Sequence, residues 1–465
     1  MPDARQIKNM NDETNPARVL NHDRVQRRTH MRPLKLAIVE CLAWLLKITC
    51  PWYLQELLSQ YVLQPMLLAA FMVSVLLFAL CFPLSRSSLY YASLPRKTSR
   101  PDQLSEFETT FPIPNELQYH VAFWKAIFSE YSRHQIIVHD SWFPQVVYEV
   151  VDLRSSKGVG NVLLKYRHIL ASLHQKECSR RSEKLTADEA RVSELFRGIS
   201  EPEKFVNASR RLRIQCGQRE SFLKAIQLSG VYQERFDEIF RQHGLPTDLT
   251  RIPFVESYFN HKAYSYAGAA GLWQFMPATA KMYGLRINAK VDERYDPFKS
   301  AESAAKLLKA NYELFGSWPL AVTAYNHGPA GLLKAIERFD TTDLGEIARK
   351  YHSKRFGFYS RNYYAQFLAA AQIMQNYEAY FGEVERLAPL QYEVVTLTQH
   401  VYLDEVANGL QIPKDELLLL NRDLKRAIIQ SKVPLPKDFV LKLPPGKKAI
   451  FLAQREKQTH ARFLK

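Results

Sequence analysis

The stretch RIPFVESYFNHKAYSYAGAAGLWQFMPATA, residues 251–280, decides how this chain is read. One glutamate, Glu256, follows the apolar run Ile252-Pro253-Phe254-Val255, and the chain then enters a glycine- and alanine-rich turn ending in Trp273-Gln274. Upstream, VYQERFDEIFRQHG (231–244) is an amphipathic helix stopped by Gly244. Thr247 is the expected N-cap of a short helix that ends at Glu256; Pro253, too deep for its first turn, should kink or narrow it. A carboxyl group at such an apolar helix end loses hydration, which favours its neutral form and raises its pKa. An acid that keeps its proton near neutral pH suits protonation of a leaving oxygen, such as that of a glycosidic bond. A glutamate taken alone is more often a solvated helix end, so the weight falls on the residues downstream of it.

Ala267, Gly268, Ala269, Ala270 and Gly271 remove side-chain bulk over five consecutive positions, where a ligand can approach the backbone closely. Gln274 offers a donor and an acceptor together, a match for the paired hydroxyl or acetamido groups of a sugar. Pro277 suits the first turn of a helix that stops at Gly284. Asp296 before Pro297 reads as the cap of a helix through SAESAAKLLKANYELFG. WPLAVTAYNHGPAGLLKAIERF supplies two further elements broken at Gly328-Pro329, and Tyr325 and Asn326 fall at that break, where polar groups can face a cleft.

VES, GAAGLWQFMPATA and AYNHGP, in that order, resemble the lytic murein transglycosylases, in particular their soluble-lytic-type catalytic domain, which is related to goose-type lysozyme. The resemblance covers roughly residues 225–385. It implies that Glu256 is the catalytic acid and base, with Ser257 as the adjacent supporting hydroxyl, and that Gln274, Met276, Tyr325 and Asn326 line the substrate cleft. YSRNYYAQFLAAA (359–371) is similar to the family's closing helix and places Tyr363 in the cleft. Two departures bear on subsite preference. His327 stands where a small residue is usual, and Tyr359-Ser360 replaces a Glu-Thr pair.

The implied reaction cleaves the N-acetylmuramate–N-acetylglucosamine bond of peptidoglycan glycan strands. Glu256 first donates its proton to that bond, then takes one from the muramate 6-hydroxyl, leaving a 1,6-anhydromuramate end. Neither metal nor organic cofactor is implied. A lysozyme-type muramidase is the near alternative, with Asp292, Glu293 or Asp296 activating water in the two-carboxylate manner. A non-catalytic peptidoglycan-binding scaffold is the alternative from another class. The formal charge of +16 suits an anionic partner. No recognition motif supports nucleic acid.

At 465 residues the chain is long enough for two or three domains, and 46% hydrophobic content is ordinary for folded material. The fold class expected is mainly α: a helical N-terminal region, a lysozyme-like catalytic domain and a small α/β, LysM-like C-terminal domain. Residues 1–65 form a basic, then amphipathic segment. Residues 66–84 contain MLLAAFMVSVLLFALCF and read as a membrane anchor or an export signal, the latter if translation starts at Met66. A linker at 93–103 leads into a helical region, 105–230, in which Thr186 is the expected cap of one helix. The catalytic domain spans 231–385 and the LysM-like domain 391–450, where QYEVVTL and FVLKLP alternate like strands and Asn421 matches the module's asparagine. His400-Val401-Tyr402 stands where that module commonly has a Gly-Asp turn, and the final KQTHARFLK reads as a solvated basic tail. The reading as a whole is a cell-envelope protein with a periplasmic catalytic domain, its oligomeric state open. The five cysteines show no metal-site spacing, and whether Cys178 and Cys216 pair is left open.

Overall fold

The computed structural model describes residues 105–154, 159–179 and 183–463. The segments 1–65, 66–84 and 93–103 lie outside the described residues, among which no helix is long and apolar enough to cross a membrane. The architecture is mainly α, as the sequence indicates.

The lead-in departs from its helical reading. After α1 (Gln118–Ser129), a three-stranded antiparallel sheet of order β2-β1-β3 interrupts the helices: β1 is Gln135–Asp140, β2 Val147–Asp152 and β3 Leu212–Cys216. QIIVHD and VYEVVD are rich in β-branched residues, but β1 is buried on both faces and lacks the alternation that marks a half-buried strand. Its partner β3 lies far along the chain, pairing Ile137 with Gln215, and no local pattern reports that. Tyr166, Leu170 and Leu173 of α2 (Val159–Cys178) cover the sheet with Val138, Tyr148, Phe196 and Phe205. Thr186 does cap the helix Ala187–Leu195, in a reciprocal capping box with Glu189. Cys178 and Cys216 are both free, exposed thiols.

The large core gathers α1, α3 (Arg219–Ser229), α4 (Gln233–Gln242) and the helices of the downstream segment. At its centre runs α10 (Phe358–Gln375), buried from Ser360 through Ala371. Such a helix needs partners on every face. Its buried Asn362 receives a hydrogen bond from Trp124 Nε1 at 2.9 Å and sits 2.9 Å from His120 Nδ1, which fastens α1 to α10. Burial lowers the His120 pKa to about 4, so this lock stays neutral under ordinary conditions.

In the tail, β4 (Glu393–Thr396) and β5 (Val440–Leu443) pair antiparallel around α11 (Leu403–Leu410) and α12 (Lys414–Leu420). A last helix, α13, runs Lys448–Phe463, with Phe451 in the core. That core also takes in Val291 from the preceding segment, and Val291 bridges to Leu424. Lys299 donates to Glu293 at 2.8 Å and to Asp423 at 3.3 Å, while Lys442 donates to Asp296. Buried Asn421 donates to the carbonyls of Leu417 and Lys442 and accepts from the Lys442 N–H. Asn421→Ala leaves the Lys442 N–H and carbonyl without this partner, while the Leu417 carbonyl keeps the backbone N–H of residue 421, and should lower stability by roughly 1–3 kcal/mol. Urea denaturation checks this, and an unchanged midpoint would contradict it.

Candidate active site

Glu256 sits at the end of a helix built in two parts. A 3₁₀ turn over Thr247–Arg251 is followed by α5, Ile252–Glu256, with Pro253 in its first turn. Pro253 therefore marks a new helical start rather than a kink inside one helix. Pro246, not Thr247, occupies the N-cap position. Tyr258 and Phe259 then adopt left-handed φ angles of 50° and 56°, which reverse the chain just beyond the acid. This backbone costs on the order of 1–3 kcal/mol per residue. Phe259 offsets it by burial against Phe254, Phe236 and Tyr232, and the Tyr258 hydroxyl is held by Gln218.

The Glu256 side chain keeps some contact with solvent, yet surrounding protein strips enough hydration to push its pKa up to about 7. The opposing influence is Tyr363 of α10, whose hydroxyl donates to Glu256 Oε1 at 2.5 Å and favours the carboxylate. Burial holds the Tyr363 phenol far above its ordinary pKa, so it remains a donor. Its ring runs parallel to that of Tyr325, 6.4 Å away and 10° from coplanar. Tyr325 lies near the end of α8 (Trp318–His327) and donates to the Trp273 carbonyl at 2.8 Å. The acid, the two tyrosines and the glycine-rich loop thus meet at one place. Tyr363→Phe removes the donor, so the acid's pKa should rise further and the alkaline limb of kcat/KM should move to higher pH. The rate should fall by the worth of one charge-assisted hydrogen bond, about 1–3 kcal/mol. A pH–rate profile of the variant checks the sign, and a downward shift of the limb contradicts it.

The loop 263–275 is held by its own short bridges, Tyr264 to Ala270 and Ala270 to Phe275. Gly271 has φ +79°, and a Cβ there would lie 1.9 Å from the Arg294 carbonyl oxygen. The Gln274 side chain is partly engaged within the loop. Its amide nitrogen donates to the carbonyls of Gly271 at 2.8 Å and Ala263 at 3.3 Å, so the donor braces the loop. Ser257 is buried, and its hydroxyl donates to the Leu272 carbonyl at 2.8 Å, tying the acid's helix to the loop. Met276 stands exposed at the start of α6 (Pro277–Met282). Asn326 is exposed and accepts from the Ser360 hydroxyl at 2.9 Å, so Ser360 of the divergent Tyr359-Ser360 pair positions its amide. His327 packs edge-on against Phe356, and Gly331 of α9 (Pro329–Phe339) leaves room for it.

The three carboxylates that could activate water are all engaged. Asp292 forms a two-point pair with Arg294, at 2.9 and 2.8 Å, and both are buried. Glu293 is held by Arg286 and Lys299. Asp296 caps α7 (Pro297–Phe315) through the N–H groups of Phe298 and Lys299 and also pairs with Lys442. Arg294 is the residue the sequence reading missed. Its Nη1 donates to the carbonyls of Gly268 at 2.7 Å and Phe275 at 3.0 Å, which clamps the middle of the loop to its end. An arginine two places from an aspartate is too common a pattern to reveal this.

Residues 238–346 match the family model described as "Transglycosylase SLT domain". The chain carries an SLT domain. Its α4–α9 stretch contains Glu256, the glycine-rich loop and the Tyr325-Asn326 corner. Membrane-bound lytic murein transglycosylase D of Escherichia coli K12 is 32% identical over 145 residues, 30% of this chain and 30% of that protein. A putative tributyltin chloride resistance protein of an Alteromonas species is 38% identical over 96 residues, 20% of this chain and 46% of its own. The chain thus spans less than half the length of either relative. The crystal structure of the 70 kDa soluble lytic transglycosylase of Escherichia coli aligns at 18% identity and a TM-score of 0.29, across 50% of this chain and 32% of that one. Tyr363 and the rest of α10 lie beyond the matched stretch, so the SLT domain's acid is completed by a helix outside it.

Proposed function

We propose that the protein is a peptidoglycan lytic transglycosylase in which Glu256 acts alone as acid and then base. The observation that carries this reading is a carboxyl group held near pKa 7 by loss of hydration, with Asp292, Glu293 and Asp296 all tied to cations elsewhere. Glu256 donates its proton to the oxygen between N-acetylmuramate and N-acetylglucosamine. As the carboxylate, it then accepts the proton of the muramate 6-hydroxyl, whose oxygen closes on the anomeric carbon. A two-carboxylate hydrolysis needs a second acid free to hold water, and none of the three candidates is free. Tyr363 steadies the carboxylate between the steps. Gln274, Met276, Tyr325 and Asn326 line the cleft for the glycan, with Ser257 supporting the loop.

The partner in this reading is the glycan strand, and the setting is the cell envelope, with residues 66–84 as anchor or export signal. The β4–α11–α12–β5 order and Asn421 favour a LysM-type sugar-binding module in the tail. Mass analysis of fragments released from murein by the purified protein tests the reaction. Anhydromuramate ends are expected; free reducing ends would replace the proposal with hydrolysis.

A further inference from the structure

Beside the cleft helix lies a buried cation without a paired anion. Arg361 of α10 is only 9% exposed, its Nε is sealed from solvent with no partner, and its guanidinium forms no hydrogen bond or ion pair among the described residues. The guanidinium lies 4.0 Å from the ring centroid of Trp142, in the loop between β1 and β2. Trp142 in turn stacks on His352, 4.3 Å away and 8° from coplanar. Arg213 of β3 repeats the pattern: its Nε is buried without a partner, and it lies over the rings of Phe358, at 4.0 Å, and Tyr359, at 5.3 Å.

Nearby carboxylates are bonded to other groups, and Asp140 acts on Arg361 only through space. Asp140 accepts from Arg211 Nε at 3.0 Å and from the N–H groups of Trp142 and Phe143. Glu201 receives Arg211 Nη1 at 2.7 and 2.8 Å. His120 and His139 are kept neutral by burial, with pKa values of about 4 and about 3. Burial likewise lowers Arg361 to about 10, which still leaves it charged at neutral pH. A desolvated guanidinium with no counter-charge of its own is costly to keep, and its planar fork fits a carboxylate at two points. Its position along α10 ties it to the cleft. Ser360, which holds Asn326, precedes it, and Tyr363, which holds Glu256, comes two residues later.

We propose that Arg361 and Trp142, with Arg213 beside them, form a carboxylate-binding subsite for the acidic peptide substituent of the glycan. The ring of Trp142 fixes the guanidinium plane, and the bound carboxylate supplies the missing charge. This gives the sheet of the lead-in a role in substrate selection, through residues outside 238–346. It rests on the transglycosylase reading for the identity of the substrate, although binding itself needs no turnover.

Calorimetry on the full chain carrying Glu256→Gln tests it. The probes are free murein stem tetrapeptide, the same peptide with its carboxyl groups amidated, and glycan strands stripped of peptide. The acid peptide should bind at least tenfold more tightly than the amidated one. Arg361→Met should abolish that preference and leave binding of stripped strands unchanged. Equal affinity for the two peptides would overturn the subsite, as would a preference that survives Arg361→Met. Should Arg361→Met fail to fold, Arg361→Lys, which keeps the charge but not the two-point fork, should lower the preference at least threefold, and an unchanged preference would overturn the subsite. Because cleavage is not read, failure here is separate from a failure to form anhydro products.

Discussion

Glu256→Gln should lower the rate of murein cleavage by roughly 10²–10⁴-fold, the usual worth of a positioned acid and base. The amide keeps the shape of the side chain and can still accept from Tyr363, so the loss isolates the proton. The same variant should be more stable than the parent at alkaline pH. Glu256 has a folded pKa of about 7 against an ordinary 4.5, so the folded state holds the proton more tightly than the unfolded one. Its contribution is fully present below pH 4.5 and is lost as pH rises through 7. The shift corresponds to a penalty of roughly 3 kcal/mol above pH 7. Glutamine never carries that charge. Denaturation at pH 4 and pH 8 should show the variant's advantage only at the higher value. A variant that cleaves murein normally would falsify the assignment of the acid.

Gly271→Ala should be the most damaging change outside the acid. An alanine at φ +79° costs about 1–2 kcal/mol in backbone conformation alone. The added Cβ would meet the Arg294 carbonyl at 1.9 Å, and a backbone atom cannot swing aside as a side-chain tip can. The loop must shift, breaking the bonds from Gln274 and to Ala263 that depend on Gly271. A total loss of roughly 3 kcal/mol or more is expected, with about a hundredfold fall in rate from misplacement of the cleft wall. Gly268→Ala is the control. Its φ of +93° carries a similar backbone cost, but the nearest atom to a Cβ is the Tyr264 hydroxyl at 3.7 Å. Equal effects at the two glycines, by melting and by rate, would contradict the close approach at Gly271.

The acid's surroundings are legible in the sequence because they are local. An apolar run before Glu256, small residues after it and helix stops at Gly244 and Gly284 are all written within one short stretch. The caps at Thr186 and Asp296 are legible for the same reason, since a capping side chain bonds to N–H groups two or three residues ahead. The sheet of the lead-in is not, because β1 is buried on both faces and pairs with a strand far along the chain, beyond intervening helices. Nor is the clamp by Arg294, which reaches Gly268 across 26 residues. Gln274 and Ser257 show a subtler limit. A side chain's chemistry can be read from the sequence, but not which of its atoms the fold has already engaged.

The central claim is that Glu256 holds its proton close to neutral pH. Selective ¹³C labelling of glutamate carboxyl groups, with the Glu256→Gln protein identifying the resonance by its absence, gives that titration directly. A midpoint near 7 is the result expected from the desolvated site. A midpoint near the ordinary 4.5 would mean that the carboxyl is already ionised when the substrate arrives, and the single-acid mechanism would not stand.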